Sequence, residues 1–147
     1  MPPDSKIQLA CQDDIDRIVA IARQHCDILG FFPKGGFVNP VAAGEVIVSK
    51  TKHGKINGFL HYHTSKDRTT VVYAFAVDKN SQGQGIGTAL MNCLFNLAKR
   101  QHVYAVRLKV PEDAPAVEFY KAKGFEVIGL QRYKTRNVLV LHRKVWQ

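Results

Sequence analysis

The stretch VDKNSQGQGIGTAL, residues 77–90, has three glycines at alternate positions, Gly83, Gly85 and Gly87, just ahead of a helix-like pattern. It follows the longest apolar run of the chain, VVYAFAV at residues 71–77, which suits a buried central strand. Glycine-rich turns between such a strand and a helix are typical of phosphate-binding loops, because the first helical N–H groups have no intrahelical acceptor. The stretch therefore predicts a layered fold with an anion-binding loop at one strand end.

The glycine spacing argues against two common phosphate loops. A P-loop has Gly-x4-Gly-Lys-Ser/Thr, and no lysine follows Gly87. A dinucleotide fingerprint has Gly-x-Gly-x-x-Gly with an acidic residue about 20 residues later, whereas these glycines are two apart throughout and that acidic residue is missing. Both motifs are poor matches to the stretch.

Upstream of the glycine stretch, the residue pattern predicts a strand, two helices and two more strands. A strand at residues 6–10 precedes a helix that begins at Asp13 or Asp14. A short helix has Asn39 as N-cap, Pro40 as its first residue and Gly44 at its end. Two strands then join through a turn at residues 53–54, and a second turn at residues 66–69 leads into the central strand.

Downstream, a helix runs to about Gln101, and a strand follows it. A short helix has Pro115 in its first turn and ends at Gly124, and two strands complete the chain. Consecutive strands favour antiparallel hairpins, and a strand-helix-strand unit favours a parallel crossover. We predict one α/β (α+β) domain over residues 1–147, with a mixed, mostly antiparallel central sheet of about six to seven strands and helices on both faces.

The net charge and the cysteine content indicate which classes of partner and which cellular compartment to expect. The 147 residues carry a net charge of +9, which favours nucleic acid, a membrane surface or a polyphosphate ligand, although solubility alone would also explain it. The apolar run is far too short to cross a bilayer, and the start of the chain does not resemble a secretory signal. Three widely spaced cysteines, Cys11, Cys26 and Cys93, argue against disulfides and zinc. We expect a cytoplasmic protein whose cysteines are small buried apolar residues.

The segment QGQGIGTAL resembles motif A of the GNAT acetyltransferase superfamily, which has Gln or Arg, two residues, Gly, one residue, and then Gly or Ala. These positions fall on Gln82, Gly85 and Gly87. A second segment, VPEDAPAVEFYKAKGF at residues 110–125, resembles motif B of the same family, with Asp113 where the family usually has Asn. The resemblance covers about Glu45 to Leu130. It implies a GNAT-like fold and acetyl-coenzyme A as co-substrate, with no metal.

The resemblance also implies which residues hold the coenzyme. The strand before the loop would pair with the pantetheine arm, and the Val77 N–H would donate to the thioester carbonyl. Asp113 can still cap its helix, but it cannot donate a hydrogen bond when ionised. The implied coenzyme-binding residues are Phe75, Val77, Gln82, Gly83, Gln84, Gly85, Gly87, Thr88 and Asp113.

The resemblance implies direct attack of a neutral amine on the thioester, without a covalent enzyme intermediate. Tyr120 matches the family tyrosine near the coenzyme sulfur and is the expected general acid, and a tyrosine of the apolar core is the alternative. The base is open, because Ala74 stands where many members carry Glu. His61 and His63 lie two residues apart on one strand face and are candidate bases. The alternative is that both histidines are exposed or structural.

The acceptor is a primary amine of unknown identity, on a small molecule or a peptide. Phe31, Phe32 and Phe37 form an apolar wall of the acceptor pocket in one interpretation, and belong to the core or a dimer contact in the other. An amine on charged tRNA or another nucleic acid, and a non-catalytic acyl-coenzyme A module, are the alternative functions. We expect no membrane partner, and either a monomer or a homodimer.

Overall fold

The computed structural model describes residues 6–29 and 34–146, in which the chain forms seven strands and five α-helices. The strands are β1 Lys6–Leu9, β2 Val46–Lys50, β3 Ile56–Thr64, β4 Thr69–Val77, β5 Ala105–Pro111, β6 Glu126–Arg132 and β7 Asn137–Lys144. The helices are α1 Ile15–Gln24, α2 Cys26–Leu29, α3 Val38–Ala42, α4 Ile86–Arg100 and α5 Ala116–Ala122. Short 3₁₀ turns span Gln12–Asp14, Lys34–Phe37 and Lys79–Ser81.

The strands form one sheet with the order β1-β2-β3-β4-β5-β7-β6. Antiparallel pairing joins β1 to β2, β2 to β3, β5 to β7 and β6 to β7. The parallel pair is β4 with β5, where Thr69 lies opposite Ala105, and α4 lies between these strands in the sequence. The apolar run is thus the central strand, and the predicted fold class is confirmed.

The described residues divide into two compact units, one within residues 1–62 and 74–96 and the other within residues 63–73 and 97–147. Each unit has buried apolar residues of its own. The expectation of a single domain over residues 1–147 stays a prediction.

In the first unit, α1 is an amphipathic helix whose predicted apolar face is buried. Ile15, Ile18, Val19 and Ala22 are all at most 4% exposed and belong to one core cluster. That cluster also contains Val41 of α3 and, from the sheet, Val46, Val48, Phe59, Ala74 and Ala76. Because Val48 lies opposite Phe59 in the β2–β3 register, these side chains cover one face of the sheet.

The other face of β3 holds α4, and a glycine makes the close approach possible. Gly58 alternates with Phe59, so it faces away from the α1 cluster. A Cβ at Gly58 would lie 3.0 Å from Ile86 Cγ2 and 3.1 Å from Leu90 Cδ1. Helices therefore pack on both faces of the sheet within the first unit, as predicted.

In the second unit, one face of β5 is buried and the other is exposed. Val106, Leu108 and Val110 are buried, whereas the alternating Arg107 and Lys109 are exposed. α5 contributes buried residues to this unit, Val117 and Tyr120, and Gly124 ends the helix with a left-handed φ of +91°. The predicted stop at this glycine is confirmed.

Two local predictions are wrong. Cys11 and Cys26 are exposed and Cys93 is partly exposed, so none is buried; Cys11 lies in the turn after β1, where its thiol is 3.4 Å from Asp14 Oδ2. α3 begins at Val38 rather than at Pro40, because the 3₁₀ turn Lys34–Phe37 leads directly into the helix. Pro40 still fits the first turn, where its missing N–H has no intrahelical acceptor.

No helix among residues 6–29 and 34–146 is long and apolar enough to cross a membrane. The longest, α4, has 15 residues, and a membrane-spanning helix needs about 20.

Candidate active site

The glycine loop, residues 82–85, joins the turn after β4 to α4 and contains two glycines with left-handed backbone. Gly83 has φ +80° and Gly85 has φ +78°, a conformation that costs other L-residues roughly 1–2 kcal/mol. Gln82, Gly83 and Gln84 are exposed, and a Cβ added at Gly83 would meet nothing within 4 Å. The glycines serve the backbone shape of the loop, and the loop surface is open.

The loop leads straight into the N-terminus of α4. The Gly85 carbonyl accepts a hydrogen bond from the Ala89 N–H at 3.0 Å, so helical hydrogen bonding starts at the last residue of the loop. The next N–H groups, those of Ile86, Gly87 and Thr88, lie at the positive end of the helix dipole, and the first turn has no acidic side chain. This local structure fits an anionic group such as a pyrophosphate.

Immediately before the loop, the carboxylate of Asp78 is buried and paired. Asp78 follows the last residue of β4, and its side chain is only 6% exposed. Arg17 of α1 approaches Asp78 Oδ2 with Nη2 at 2.6 Å, and the Arg17 Nε donates to the Ile56 carbonyl at 3.1 Å. The Asp78 N–H donates to the Asn57 carbonyl at 2.9 Å. Arg17 and the first residues of β3 therefore fix both the backbone and the carboxylate of Asp78.

The C-terminal end of α1 supplies further contacts to the same turn. Gln24 Nε2 donates to Asp78 Oδ1 at 3.0 Å, and Gln24 Oε1 accepts from the Lys79 N–H at 2.9 Å. His25 Nε2 donates to the Val77 carbonyl at 2.9 Å. We call Arg17, Gln24, His25 and Asp78 the Asp78 cluster.

The pKa of Asp78 reflects this environment. Burial alone would raise the pKa, but hydrogen bonds from Gln24 and the Asn80 N–H, together with the charge and hydrogen bond of Arg17, outweigh burial and lower the pKa below its ordinary value. The carboxylate therefore stays ionised at neutral pH, as its buried ion pair requires.

The predicted pantetheine strand is the end of β4, and its role stays a prediction. Phe75 and Val77 are half-buried, and they alternate with Ala74 and Ala76 of the core. Ala74, at the position where many family members carry Glu, is 2% exposed. This position therefore supplies an apolar core side chain and no base.

The two candidate histidines have different surroundings. His61 is half-buried, and its ring centroid lies 6.0 Å from that of Phe37 at an interplanar angle of 61°. His63, in the second unit, is exposed. Phe37 itself is 1% exposed and also packs edge-to-face on Phe59, so the core interpretation holds for this residue. Phe31 and Phe32 lie outside the described residues.

In the second unit, Tyr120 lies on α5 and is 7% exposed. Its ring packs edge-to-face against Phe119 and Phe125, with centroid distances of 5.6 Å and 5.7 Å. Burial raises the pKa of the Tyr120 phenol well above its ordinary value. The phenol therefore stays protonated throughout the neutral and mildly alkaline range.

Asp113 does not cap α5. The N-cap residue is Pro115, and no side chain accepts a capping hydrogen bond there. The Asp113 side chain is 76% exposed and lies 3.8 Å from Arg136 Nη2. The two residues line a shallow polar cavity of about 270 Å³ together with Glu112, Thr135 and Asn137. The capping prediction is wrong, because the turn before α5 directs the carboxylate toward Arg136.

The Asp78 cluster was missed by the sequence interpretation, although a signal for half of it exists. Arg17 and Gln24 are seven residues apart, so they share one side of α1 beside its apolar face. Asp78 is a lone acid between the central strand and the glycine loop. Nothing in the sequence alone pairs these residues, because 54 to 61 positions separate them.

The fold is shared with solved acetyltransferase structures. Ard1 from Thermoplasma volcanium is 23% identical, with a TM-score of 0.90 over 98% of this chain and 99% of that chain. The ribosomal-protein-S18-alanine N-acetyltransferase from Escherichia coli is 19% identical, with a TM-score of 0.82 over 97% and 95%. N-acetylglutamate synthase from Neisseria gonorrhoeae, complexed with coenzyme A and N-acetyl-glutamate, is 18% identical, with a TM-score of 0.83 over 97% of this chain and 35% of that one.

Sequence comparisons point the same way. An uncharacterized N-acetyltransferase from Methanocaldococcus jannaschii is 40% identical over 62 residues. That match covers 42% of this chain and spans about a quarter, 27%, of the relative. The sequence model of the Acetyltransferase (GNAT) family matches residues 17–125, which is most of the chain. The chain therefore belongs to the GNAT family of N-acetyltransferases, enzymes that transfer an acetyl group from acetyl-coenzyme A to an amine.

Proposed function

We propose that this chain acetylates a primary amine of a small molecule or a peptide, by direct attack of the amine on the thioester of acetyl-coenzyme A. The observation that carries the proposal is the open glycine loop at the start of α4, with Gly83 and Gly85 in left-handed conformation. Its N–H groups suit a pyrophosphate, and the net charge of +9 favours a polyanionic ligand.

The proposed coenzyme site lies along β4 and the loop. When bound, acetyl-coenzyme A supplies an activated acetyl thioester. Phe75 and Val77 flank the pantetheine arm, the Val77 N–H donates to the thioester carbonyl, and the Val77 carbonyl is held by His25. The pyrophosphate contacts come from the loop and the first turn of α4, namely Gln82, Gly83, Gln84, Gly85, Gly87 and Thr88.

Tyr120 is the proposed general acid, which donates its phenol proton toward the sulfur as the C–S bond breaks. Direct transfer needs a neutral amine and a protonated phenol at the same pH. The raised pKa of Tyr120 keeps the phenol protonated at the alkaline pH where amines lose their proton, and it also makes the phenol a weaker acid. Tyr120 cannot act as the base for the same reason.

The remaining residues have narrower proposed roles. Asp113 is a proposed coenzyme-site residue by its position in the second motif, and its ionised carboxylate, which does not donate a hydrogen bond, lies 3.8 Å from Arg136 Nη2. His61 and His63 are the side-chain candidates for the base, directly or through water. An acceptor that arrives neutral needs neither histidine.

A second candidate acceptor is an amine on charged tRNA or another nucleic acid. It is favoured by the open face of the second unit, where Arg107, Lys109 and Lys144 are exposed on neighbouring strands. His142 reports the positive potential of this face: burial lowers its pKa, and the charges of Arg107 and Lys144 lower it further, against Glu126. Binding to this face would weaken steeply with added salt.

A thiol-release assay with acetyl-coenzyme A and a panel of amines tests the proposal of a small-molecule or peptide acceptor. Because one similar protein is named for a ribosomal-protein alanine and another for acetylglutamate, the panel includes peptides and amino acids beside polyamines. We expect turnover with one class and none without an acceptor. Coenzyme binding with no amine acetylated would instead favour an acyl-coenzyme A binding module.

RNA binding at low salt, measured by fluorescence anisotropy, separates the two acceptors. Replacing Arg107, Lys109 and Lys144 by Gln should abolish RNA binding if the nucleic-acid proposal is right. Absence of RNA binding by the unaltered chain would end that proposal. The proposed compartment is the cytoplasm, which the exposed free thiols of Cys11 and Cys26 support, with a monomer and a homodimer both open.

A further inference from the structure

Three consecutive residues before the glycine loop are held by side chains of α1 and of His25, which follows it. The Val77 carbonyl accepts from His25, the Asp78 carboxylate accepts from Gln24 and pairs with Arg17, and the Lys79 N–H donates to Gln24. The loop begins three residues later, at Gln82. Every one of these contacts lies within the first unit.

Both oxygens of the buried Asp78 carboxylate have hydrogen-bond partners. Burying a carboxylate is costly unless each oxygen is paired. Here Oδ2 is paired with Arg17, and Oδ1 accepts from Gln24 at 3.0 Å and from the Asn80 N–H at 3.4 Å. Charge-assisted hydrogen bonds of this kind fix orientation as well as contribute energy.

Asp78 also shapes the turn that leads to the loop. Its φ of −51° and ψ of 131° make it the N-cap of the 3₁₀ turn Lys79–Ser81, and its carbonyl accepts from the Ser81 N–H at 2.8 Å. Asp78 thus sets the direction in which the chain leaves β4, and its side chain is held by Arg17 and Gln24 of α1.

We propose that Arg17, Gln24 and Asp78 are positioning residues for the coenzyme: they hold the end of β4 so that the glycine loop keeps its pyrophosphate-binding conformation before the ligand arrives. The inference rests on the proposed function of the loop. Preorganised N–H groups bind an anion without the entropic cost of ordering the loop. Loss of the cluster therefore weakens coenzyme binding more than it slows the chemical step.

The chain contains a matched control for Asp78. Asp14 is also a buried aspartate of the first unit, 7% exposed, with Lys50 Nζ at 3.2 Å and the Cys11 N–H at 2.9 Å. Its partners lie on β2 and the turn before α1. Asp78→Asn and Asp14→Asn make the same chemical change, and of the two aspartates only Asp78 caps the turn that leads into the loop.

The test measures coenzyme A binding by titration calorimetry and melting temperature for the wild-type chain and both variants. We expect Asp78→Asn to weaken coenzyme A binding about tenfold or more, by loss of a charge-assisted hydrogen-bond set. In turnover assays, the KM for acetyl-coenzyme A should rise while kcat at saturation changes less than about threefold. Asp14→Asn should lower the melting temperature and leave the binding constant within about twofold.

A milder variant keeps the inference testable if Asp78→Asn does not fold. Gln24→Ala removes the contacts to Asp78 and Lys79 and leaves the Arg17 ion pair, and Gln12→Ala, which removes an exposed contact to the Val38 carbonyl, is its control. Gln24→Ala should weaken coenzyme A binding and speed amide hydrogen exchange at residues 82–88, and Gln12→Ala should do neither.

Two results would overturn the inference in distinguishable ways. If the Asp78 and Gln24 variants lose stability but bind coenzyme A within twofold of wild type, the cluster is structural only. If the wild-type chain itself does not bind coenzyme A, the proposed function of the loop fails, and the inference fails with it.

Discussion

Residues 82–90 and residues 110–125 both resemble motifs of the GNAT family, but they differ in the atoms that are accessible. In the first segment, Gln82, Gly83 and Gln84 are exposed, and the left-handed glycines shape the backbone around α4's first N–H groups. In the second, Tyr120 is 7% exposed and packed between two phenylalanine rings. A role of the backbone, such as that of the glycine loop, depends on residue type, which can be seen directly in the sequence. A side-chain role depends on the environment that the fold builds around it.

The largest expected effect tests the side-chain segment. Tyr120→Phe keeps the ring packing and removes the phenol, so kcat should fall about 100-fold, the range of a general acid. Binding of coenzyme A should stay within about twofold, since the proposed pyrophosphate contacts come from the loop and the first turn of α4 and not from the phenol. The measurement is steady-state thiol release beside calorimetric binding.

Tyr104→Phe is the control for Tyr120, because Tyr104 is 65% exposed and lies in the same unit. Its kcat should match that of wild type. If Tyr120→Phe also keeps its kcat, Tyr120 is a core residue and not the general acid.

The next effect tests the backbone segment. Gly83→Val forces a β-branched residue into φ +80°, a strain of about 1–2 kcal/mol, so the loop should relax and coenzyme A binding should weaken about tenfold. Gly54→Val imposes the same strain at φ +81° in the β2–β3 turn, again with nothing within 4 Å of the new Cβ. It should lower the melting temperature and spare binding. Equal binding by the two variants would show that the Gly83 conformation is not used.

A smaller effect concerns the packing of α4 on β3. Gly58→Ala brings a Cβ to within 3.0 Å of Ile86 and 3.1 Å of Leu90. Overpacking typically costs about 1–3 kcal/mol, and the loss of glycine entropy in the unfolded chain returns about 0.4–1 kcal/mol, so we expect a net loss of about 1 kcal/mol in chemical denaturation.

Gly129→Ala is the control for Gly58, because its new Cβ would meet Val140 at an ordinary 3.6 Å. This change should be neutral or slightly stabilising. A Gly58 variant as stable as the Gly129 variant would mean that α4 shifts freely on the sheet.

The smallest effect is in the pH profile. Because burial raises the pKa of Tyr120, the phenol does not ionise between pH 7 and about 10, whereas an amine acceptor becomes neutral in that range. The rate constant kcat/KM should rise with pH and show no fall below about pH 10. A descending limb below that pH that disappears in Tyr120→Phe would contradict the raised pKa.

Local signals account for most of what the sequence predicted correctly. Apolar periodicity located α1 and α4, and glycine at positive φ located the ends of α3 and α5 and the turn at Gly54. The glycine loop was predictable for the same reason, since Gly83 and Gly85 meet a requirement of their own backbone. Each of these features is set by interactions within a few residues.

The wrong or missed predictions are of two kinds. Some concern residues whose partners are distant in sequence, and others concern residues for which two local preferences compete. The Asp78 cluster joins residues more than 50 positions apart, so no window of sequence contains it. The cysteines were expected in the core by residue type, yet Cys11 and Cys26 lie in exposed positions around α1. Asp113 has a good capping side chain, but the turn before α5 and the nearby Arg136 determine where it points.

The position of the Asp78 cluster along the chain has a consequence for how this enzyme can diverge. All of its α1 contacts come from Arg17 to His25, before the glycine- and phenylalanine-rich segment that includes Phe31 and Phe32. Apart from core residues such as Phe37, which is 1% exposed, the segment can therefore change without removing a contact of the cluster that holds the glycine loop. We predict that exchange of exposed residues in that segment changes the acceptor, if the segment lines the acceptor pocket, and leaves coenzyme binding unchanged.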